Sequence, residues 1–529
     1  MSFSEMSNFP KQSRRQFIRS GTIGAGAVLS SPLFQGVSLI ASERTRPTIT
    51  HGLSSGDVTQ TQAVVWSRCD RPAQFWVDLS TTREFAKFQT IKGSLAQPLT
   101  DFNAKAFLDQ LMPGTDYFYR IYFESVETPG TFSHSQFGRF RTASSTESNI
   151  RFCWSGDTAG QGFGIDPARG GMTTYAAILE RKPDFFVHSG DLIYADNPMS
   201  SEVQLEDGTI WKNLLIEAKT KVAETTDEFR QNFYYNLMDH NVRAFLAEVP
   251  VIQQWDDHEV VNNWYPGEHL LDDDRYKVKD VNLLAHRART AYFDCNPVRP
   301  HVTDPRRIYR KIERGPLLDL FVIDLRSYRG PNTHNHQPKA GRRTDFLGEN
   351  QLRWLKSELK ASTATWKIIC SDMPIGLVIS EWQQEIYENG ANAEDGPPLG
   401  RELELASLFE FIAEQEIANT HFITADVHYC ASHYYSPETA GFKNFKPFWE
   451  FVSGPLHAGS FGPNQLDLTF GPELKFLGIP QDMKPFRPPS DGFQFFGEIE
   501  IDGSTQALTV RHINSAGKEL WSHHLDPEA

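Results

Sequence analysis

The chain contains little cysteine, with five residues in 529 and no CxxC pair. This spacing argues against the dense disulfide framework of small secreted folds, and we expect at most one disulfide. The sequence also lacks a P-loop and a GxGxxG segment after a predicted strand. Nucleotide-binding folds of those two types are therefore disfavoured.

Positive charge is also scarce, since 52 Lys and Arg residues stand against 67 Asp and Glu residues and give a net charge of -15. Binding to a nucleic-acid backbone depends on neutralising phosphates with Lys and Arg, so we expect no nucleic-acid-binding surface. Small phosphate-ester substrates stay compatible with an acidic protein, because metal ions hold them locally.

A long hydrophobic run is missing as well. The apolar segment at residues 21–40 is interrupted by glycine, serine and proline, and it barely reaches the roughly 20 residues that span a bilayer. It follows the pair Arg14 and Arg15, an order that resembles a twin-arginine export signal. We predict a signal peptide over residues 1–41, the twin-arginine export machinery as a partner, a periplasmic or secreted location, and no stable membrane anchor.

Residues 47–143 hold short β-rich runs separated by turn residues, such as Ala63–Trp66, Gln74–Leu79 and Tyr117–Tyr122. Their alternating polarity predicts strands, and about 95 residues suit an all-β sandwich. Leu111–Arg120 resembles the Pro-Gly-Tyr strand start of fibronectin type III domains. We predict an N-terminal fibronectin III/immunoglobulin-like domain over residues 47–143 and a second domain over residues 150–529.

After residue 150, apolar strands end in short polar loops and are followed by amphipathic stretches. This alternation predicts an α/β arrangement with helices outside a central sheet or pair of sheets. Glu349–Leu359 is predicted as a helix, with its leucines on one face, and Glu498–His524 as a closing hairpin or meander. The six strands that matter most are Ile150–Trp154, Asp184–His188, Pro250–Gln254, Leu317–Ile323, Trp366–Cys370 and Thr420–Thr424.

An Asp follows each of these six strands closely. Ligands bind at the carboxyl ends of strands in α/β sheets. One such Asp is explained as a helix cap, but six together indicate a shared site. Oxygen and nitrogen ligands suit hard or borderline cations, and a metal pair clamps both oxygens of a phosphoryl displacement. The candidate metal ligands are Asp157, Asp191, Asp257, Asp372, Asp426 and His428.

Several blocks resemble the alkaline phosphatase D family, and the resemblance covers nearly everything from Pro47 onward. The blocks are Gly190–Asp196, Trp255–Trp264, Asp324–Arg329, Ser371–Pro374 and Ala425–Tyr429. The resemblance implies a metallophosphoesterase-like two-sheet sandwich flanked by helices, of the α/β (α+β) class, and a metal cluster. It also implies export by the twin-arginine route.

The same resemblance assigns metal-binding roles. It implies that Asp191 is a bridging carboxylate and that Tyr194 is a phenolate ligand to a ferric ion, as in the GDxxY block of purple acid phosphatases. Asn263, with Asn262 as the alternative, and Asp372 would be oxygen ligands at calcium-type positions. Asp426 and His428 would complete the set.

Two residues are catalytic candidates. By the resemblance, His258 would contact phosphate or protonate the leaving group. Arg326 follows a predicted strand and is suited to bind phosphate through two hydrogen bonds. An ion pair with a structural role is the alternative for Arg326.

One position departs from the family pattern. Well-known members carry Cys at the metal position after the first strand, whereas this chain places Asp157 there. A carboxylate makes the site harder than a thiolate does. Fe³⁺ and Ca²⁺ are the cofactors that the resemblance favours, and Mn²⁺ or Zn²⁺ stay open.

The sequence therefore predicts an exported, metal-dependent phosphoesterase that hydrolyses phosphate mono- and/or diesters by attack of a metal-bound hydroxide. A phosphodiesterase of the phospholipase D type is the alternative within this class. A non-enzymatic, calcium-binding surface protein is the alternative from another class, since structural calcium also needs carboxylates.

Overall fold

The computed structural model describes residues 45–381 and 385–528. The predicted signal peptide lies outside the described residues. The helices are α1 Thr173–Arg181, α2 Thr226–Asn236, α3 His240–Glu248, α4 Val281–Cys295, α5 Glu349–Ala361 and α6 Glu402–Glu414. Short 3-10 helices lie at Pro98–Thr100, Pro167–Arg169, Glu217–Lys219 and Pro489–Asp491. None of the helices described here is both long and apolar enough to cross a membrane.

The first half of the chain supplies the strands β1 Ile49–Gly56, β2 Ala63–Cys69, β3 Ala73–Ser80, β4 Gln89–Ala96, β5 Asn103–Leu108, β6 Asp116–Ser125, β7 Gln136–Arg141, β8 Ile150–Ser155, β9 Phe185–His188, β10 Glu202–Gln204, β11 Ile210–Lys212 and β12 Val251–Gln253. The second half supplies β13 Arg310–Glu313, β14 Leu318–Val322, β15 Trp366–Cys370, β16 Thr420–Thr424, β17 Ala431–Tyr435, β18 Phe448–Val452, β19 Pro472–Leu477, β20 Phe495–Ile501, β21 Leu508–Asn514 and β22 Glu519–Leu525. All six strands predicted to lead into the site are present.

Two large sheets pack face to face. One has the strand order β22-β21-β20-β8-β9-β12-β1-β2-β5, and the other β13-β14-β15-β16-β18-β17-β19. The core between them joins Phe152 and Val187 of the first sheet to Leu320 and Ile368 of the second. Because both inner faces are apolar, the sandwich is held together mainly by burial of these side chains.

Helices cover the outer faces of both sheets, as predicted. Ile178 of α1 and Phe245 of α3 pack on the first sheet against Phe186. On the second sheet, α5 and α6 pack against Phe422 through residues such as Leu355 and Phe409. The helix predicted at residues 349–359 is observed as α5, and the predicted C-terminal meander is observed as β20–β22.

The N-terminal strands form a β-sandwich that is continuous with the first large sheet. Its four-stranded sheet, β4-β3-β6-β7, packs on β1, β2 and β5 through Phe75, Tyr119 and Val65. Strand β1 also runs parallel to β12 through the pair Gly56 and Val251. A Cβ at Gly56 would lie 2.6 Å from the Val251 carbonyl oxygen, so only glycine fits this junction.

Parallel pairing sets the position of the site. In the first sheet β8, β9 and β12 are parallel neighbours, and in the second β14, β15, β16 and β18 are. Their carboxyl ends therefore lie at one edge of each sheet, and the loops that follow them carry the predicted Asp and His residues.

Candidate metal centre

Loops from both sheets bring carboxylates and imidazoles together in three overlapping groups. The groups are Asp157–Asp191–His428, Asp191–Asp257–His258 and Asp256–Asp257–Asp426. Within each group the potential ligand atoms lie within 4.8 Å of one another. Asp191 belongs to the first two groups and Asp257 to the last two, so the side chains form one continuous cluster and not separate sites.

The backbone at this cluster adopts a conformation that non-glycine residues rarely use. The φ angles fall between 52° and 70° at Asp157, Asp191, Asn263, Asp426 and His428. Asp and Asn tolerate this left-handed region better than most residues. Such conformations concentrate at ligand-binding sites, where the surrounding fold holds them in place.

The first two loops are tied to each other through the backbone. The Thr158 N–H donates to the Asp191 carbonyl oxygen at 2.9 Å. Gly190, at φ 101°, allows the Trp255–His258 loop to approach, since a Cβ there would lie 2.5 Å from the Asp256 Cβ. The carboxylates of Asp157, Asp191 and Asp257 thus sit on loops that cannot move independently.

His428 is oriented as a neutral ligand. Its Nδ1 lies 2.5 Å from the Gly459 carbonyl oxygen, which only accepts, so Nδ1 carries the hydrogen and Nε2 is free to bind a cation. In the absence of a cation the unprotonated Nε2 accepts a hydrogen bond from the Tyr194 hydroxyl at 2.7 Å, and it lies 3.9 Å from Asp157 Oδ1. Burial lowers the pKa of His428 to about 3. Metal-ligating histidines commonly use this carbonyl contact to fix the ring.

The surroundings of His258 favour its protonated form, in contrast to the neutral His428. Its Nδ1 lies 2.7 Å from Asp196 Oδ1, and its ring packs against Tyr194 in a tilted arrangement, with centroids 4.3 Å apart and planes 31° apart. Burial lowers its pKa, but the Asp196 and Asp257 carboxylates outweigh burial and raise the pKa to about 10. Its Nε2 forms no hydrogen bond within the described part of the chain, which leaves this atom available to a ligand.

The cluster holds more negative charge than the neighbouring side chains neutralise. Burial, followed by repulsion from Asp256, raises the pKa of Asp157 and of Asp426 well above the usual range. Among the described residues, neither carboxylate oxygen of Asp157 has a hydrogen-bond partner, and Oδ1 of Asp372 also lacks one. Buried carboxylates of this kind need a counter-charge. The donor set therefore fits bound cations.

Asp372 and Asn263 lie beside the three groups. Asp372 Oδ2 accepts from the Leu325 N–H at 3.1 Å, and burial and Asp256 raise the pKa of its carboxyl group. The Asn263 N–H donates to Asp257 Oδ2 at 2.6 Å. Asp372 is thus close enough to Asp256 to be repelled by it, and the Asn263 backbone contacts Asp257.

The family follows from comparison with known proteins. Residues 152–512 match the family model described as PhoD-like phosphatase. The chain belongs to the PhoD-like phosphatase family. Residues 35–144 match the model for the N-terminal domain of PhoD-like phosphatases.

Relatives of this PhoD-like chain agree with that assignment. Alkaline phosphatase D of Bacillus subtilis (strain 168) is 25% identical over 446 residues, which are 78% of this chain and 71% of the relative. A solved structure of PhoD is 20% identical with a TM-score of 0.67, over 94% of this chain and 92% of the other. Purple acid phosphatase PPD1 from yellow lupin seeds is 13% identical with a TM-score of 0.55, over 91% and 74%. The two structures show that the fold is shared.

Arg326 of this PhoD-like phosphatase is fully buried behind the cluster. Its Nε donates to Asp256 Oδ1 at 2.6 Å, and its Nη2 pairs with Glu388. Its backbone N–H, and not its guanidinium, contacts the Asp324 side chain. The geometry is that of a buried ion-pair network, the alternative raised for this residue on the sequence.

Three residues at the centre were not singled out from the sequence. Asp196 ends the Gly190–Asp196 block, so the block itself was a signal that could have identified it. Asp256 precedes Asp257 directly, and both carboxylates face the cluster. Glu388 lies in an irregular segment with no strand before it, and nothing in the sequence marks it as a partner of Arg326.

Proposed function

We propose that this protein is a metal-dependent phosphoesterase that hydrolyses phosphate mono- and/or diesters. The observation that carries the proposal is the continuous cluster of buried, under-neutralised carboxylates with a neutral His428 at one end, in a chain of a phosphatase family. Structural calcium alone does not require a Tyr194–His428 contact or an anchored His258, so we favour the enzyme over a calcium-binding surface protein.

Two ends of the cluster would hold different ions. Asp157, Tyr194 and His428 would bind a strongly Lewis-acidic ion, for which Fe³⁺ is the proposed identity, since a phenolate needs such a partner. Asp191 would bridge to the second end. There Asp257, Asn263, Asp372 and Asp426 offer oxygen ligands of the kind Ca²⁺ prefers. Bound metal ions supply Lewis acidity and generate the nucleophile from water near neutral pH.

His258 would assist the departure of the alcohol. Asp196 fixes its Nδ1, and the Tyr194 ring packed beside it fixes the plane of the imidazole. The proton on Nε2 is then held at a defined place, from which it is donated to the leaving oxygen. A positioned proton donor of this type typically contributes about 10²–10⁴-fold to a rate.

Turnover of p-nitrophenyl phosphate and bis-p-nitrophenyl phosphate, before and after removal of metal, tests this function. We expect loss of both activities on chelation and recovery on adding Fe³⁺ with Ca²⁺, or Mn²⁺ or Zn²⁺. The ratio of the two rates separates a monoesterase from a diesterase of the phospholipase D type. Equal rates with and without chelator would contradict the proposal.

We also propose that the protein is exported by the twin-arginine route to a periplasmic or secreted location. This proposal rests on Arg14 and Arg15. Replacing Arg14 and Arg15 by Lys should leave the protein in the cytoplasm, as measured by fractionation. Unchanged export would contradict the proposal.

We further propose that the N-terminal sandwich is a fibronectin III/immunoglobulin-like domain. This proposal rests on the Leu111–Arg120 segment.

A further inference from the structure

The segment that orients His428 also covers it with an aromatic ring. Gly459 accepts the Nδ1 hydrogen of His428, and two residues later the Phe461 ring stacks on the same imidazole, with centroids 4.5 Å apart and planes 24° apart. Phe461 is half-buried, whereas His428 is buried. Phe461 therefore lies between the metal centre and solvent.

A second aromatic ring extends this surface outward. The centroid of Phe486 lies 6.1 Å from that of Phe461, and 51% of Phe486 is exposed. Its φ of 60° lies in the left-handed region, where a bulky residue is an outlier. Exposure of a large ring on a strained backbone points to a function for the ring.

Phe486 is held firmly in spite of its exposure. Arg487, the next residue, exchanges two backbone hydrogen bonds of 2.9 Å with Ser460, which precedes Phe461. The Arg487 guanidinium also pairs with Glu206 at 2.8 Å and with Asp491. The two rings are thus fixed next to each other before any ligand arrives, which lowers the entropic cost of binding.

The cations that flank Phe486 in the chain are both paired. Arg487 and Lys484 each pair with Glu206, and Arg487 also pairs with Asp491. Because neither cation is left unpaired, this surface has no evident anion-binding group, and its exposed rings favour an apolar ligand group.

We propose that Phe461 and Phe486 form a subsite for the alcohol portion of the substrate, and that the enzyme prefers phosphoesters whose alcohol carries an aromatic or other apolar group. The proposal rests on the phosphoesterase function proposed above. A phosphoryl group bound at the His428 end of the cluster would bring its ester substituent within reach of Phe461, because this partly exposed ring stacks on His428. Stacking or apolar contact there stabilises the complex without touching the reacting atoms.

Two non-hydrolysable ligands test the subsite on the metal-loaded enzyme. Calorimetry gives the dissociation constants of phenylphosphonate and methylphosphonate, which share the phosphonate but differ in the apolar group. We expect Phe486→Ala to weaken phenylphosphonate about three- to tenfold and to leave methylphosphonate unchanged. Phe486→Tyr should retain most of the affinity, and Phe88→Ala, at a ring 48% exposed on the N-terminal sandwich, should change neither constant.

The possible results distinguish failure of the subsite proposal from failure of the phosphoesterase function. If Phe486→Ala weakens both phosphonates equally, or neither, while p-nitrophenyl phosphate is still hydrolysed, the subsite is wrong and the phosphoesterase function stands. If the wild-type protein binds neither phosphonate and hydrolyses no phosphoester with any metal, the function fails and the subsite fails with it. Because 51% of Phe486 is exposed, its loss should not prevent folding.

Discussion

At the residue scale, Asp157 shows how one substitution changes a metal site. A carboxylate here replaces the Cys that the family resemblance led us to expect, and it leaves all its oxygens without hydrogen bonds among the described residues. A buried carboxylate without hydrogen bonds needs a counter-charge, which a bound cation would supply. The sequence predicts this residue as a metal ligand, and the structure adds that no described group hydrogen-bonds to its oxygens.

Replacing Asp157 by Asn should separate metal binding from folding. The metal-loaded variant should lose about a hundredfold or more in activity. The metal-free variant should melt about 2 °C or more above the metal-free wild type, because Asn removes the free-energy cost of burying an ionisable carboxyl group next to Asp256. Asp207→Asn, at an exposed hairpin turn, is the control and should change neither value. A metal-free variant less stable than wild type would contradict the charge argument.

The Asp196–His258 pair leads to a prediction about leaving groups. Asp196→Asn should lower kcat about 10- to 100-fold for alkyl phosphates and much less for p-nitrophenyl phosphate, whose alcohol leaves without protonation. Steady-state kinetics on the two substrates measures the difference. The same loss on both would mean that His258 has another role, such as holding the phosphate.

At the element scale, the sequence predicted the strands that lead into the site. It did not predict the short hairpin and the irregular segments that connect them. All six site-forming strands were predicted because an apolar run that ends in a polar loop is a strong local signal. The β10–β11 hairpin was not predicted, since its strands have only three residues each. Glu388 was missed for a related reason, because it reaches Arg326 from a segment without regular structure.

Helix α2 carries a capping box whose contribution should depend on pH. Thr225 and Glu228 exchange side-chain to backbone hydrogen bonds. Burial raises the pKa of Glu228, but hydrogen bonds from Lys221 and from the Glu224 and Thr225 N–H groups outweigh burial and lower the pKa to about 2. A depressed folded-state pKa means stability that is complete above the unfolded value near 4.5 and is lost as the pH falls toward 2.

Glu228→Gln should therefore cost about 1 kcal/mol of unfolding free energy at pH 7. The difference from wild type should shrink between pH 4.5 and pH 3, as measured by urea unfolding at each pH. Glu217→Gln, which removes a more exposed partner of Lys221, is the matched control and should have a smaller effect. If Glu228→Gln changes the unfolding free energy by the same amount at every pH, the Lys221 ion pair and the capping box do not cause that change.

At the scale of the whole molecule, the N-terminal sandwich and the site-bearing sheet are joined. In the sheet, β1 pairs with β12 at Gly56 and Val251, and beside this pair Asp57 forms an ion pair with Arg310 at 2.7 Å. No sequence pattern reveals that two strands almost 200 positions apart pair with each other. The sequence predicted the N-terminal β domain. It did not predict that strands of this domain belong to the same sheet as the site-bearing strands.

The junction predicts cooperative unfolding. A Cβ at Gly56 would meet two backbone oxygens, those of Pro297 and Val251, at 2.6 Å. Gly56→Ala should therefore lower the stability of the whole chain by about 1–3 kcal/mol, seen as a lower Tm of one calorimetric transition. Gly341→Ala, where a Cβ meets nothing within 4 Å, is the control. Two separate transitions, with only one shifted, would show that the parts unfold independently.

The central claim is that residues from both sheets share ions in one cluster. Elemental analysis of wild type, Asp157→Asn and Asp191→Asn, each purified in the same way, tests it most directly. Since Asp191 belongs to two of the three groups and Asp157 to one, Asp191→Asn should lose metal at both ends of the cluster, whereas Asp157→Asn should lose it only at the His428 end. Wild-type protein without bound metal, or an Asp191→Asn variant with its full metal content, would contradict the account.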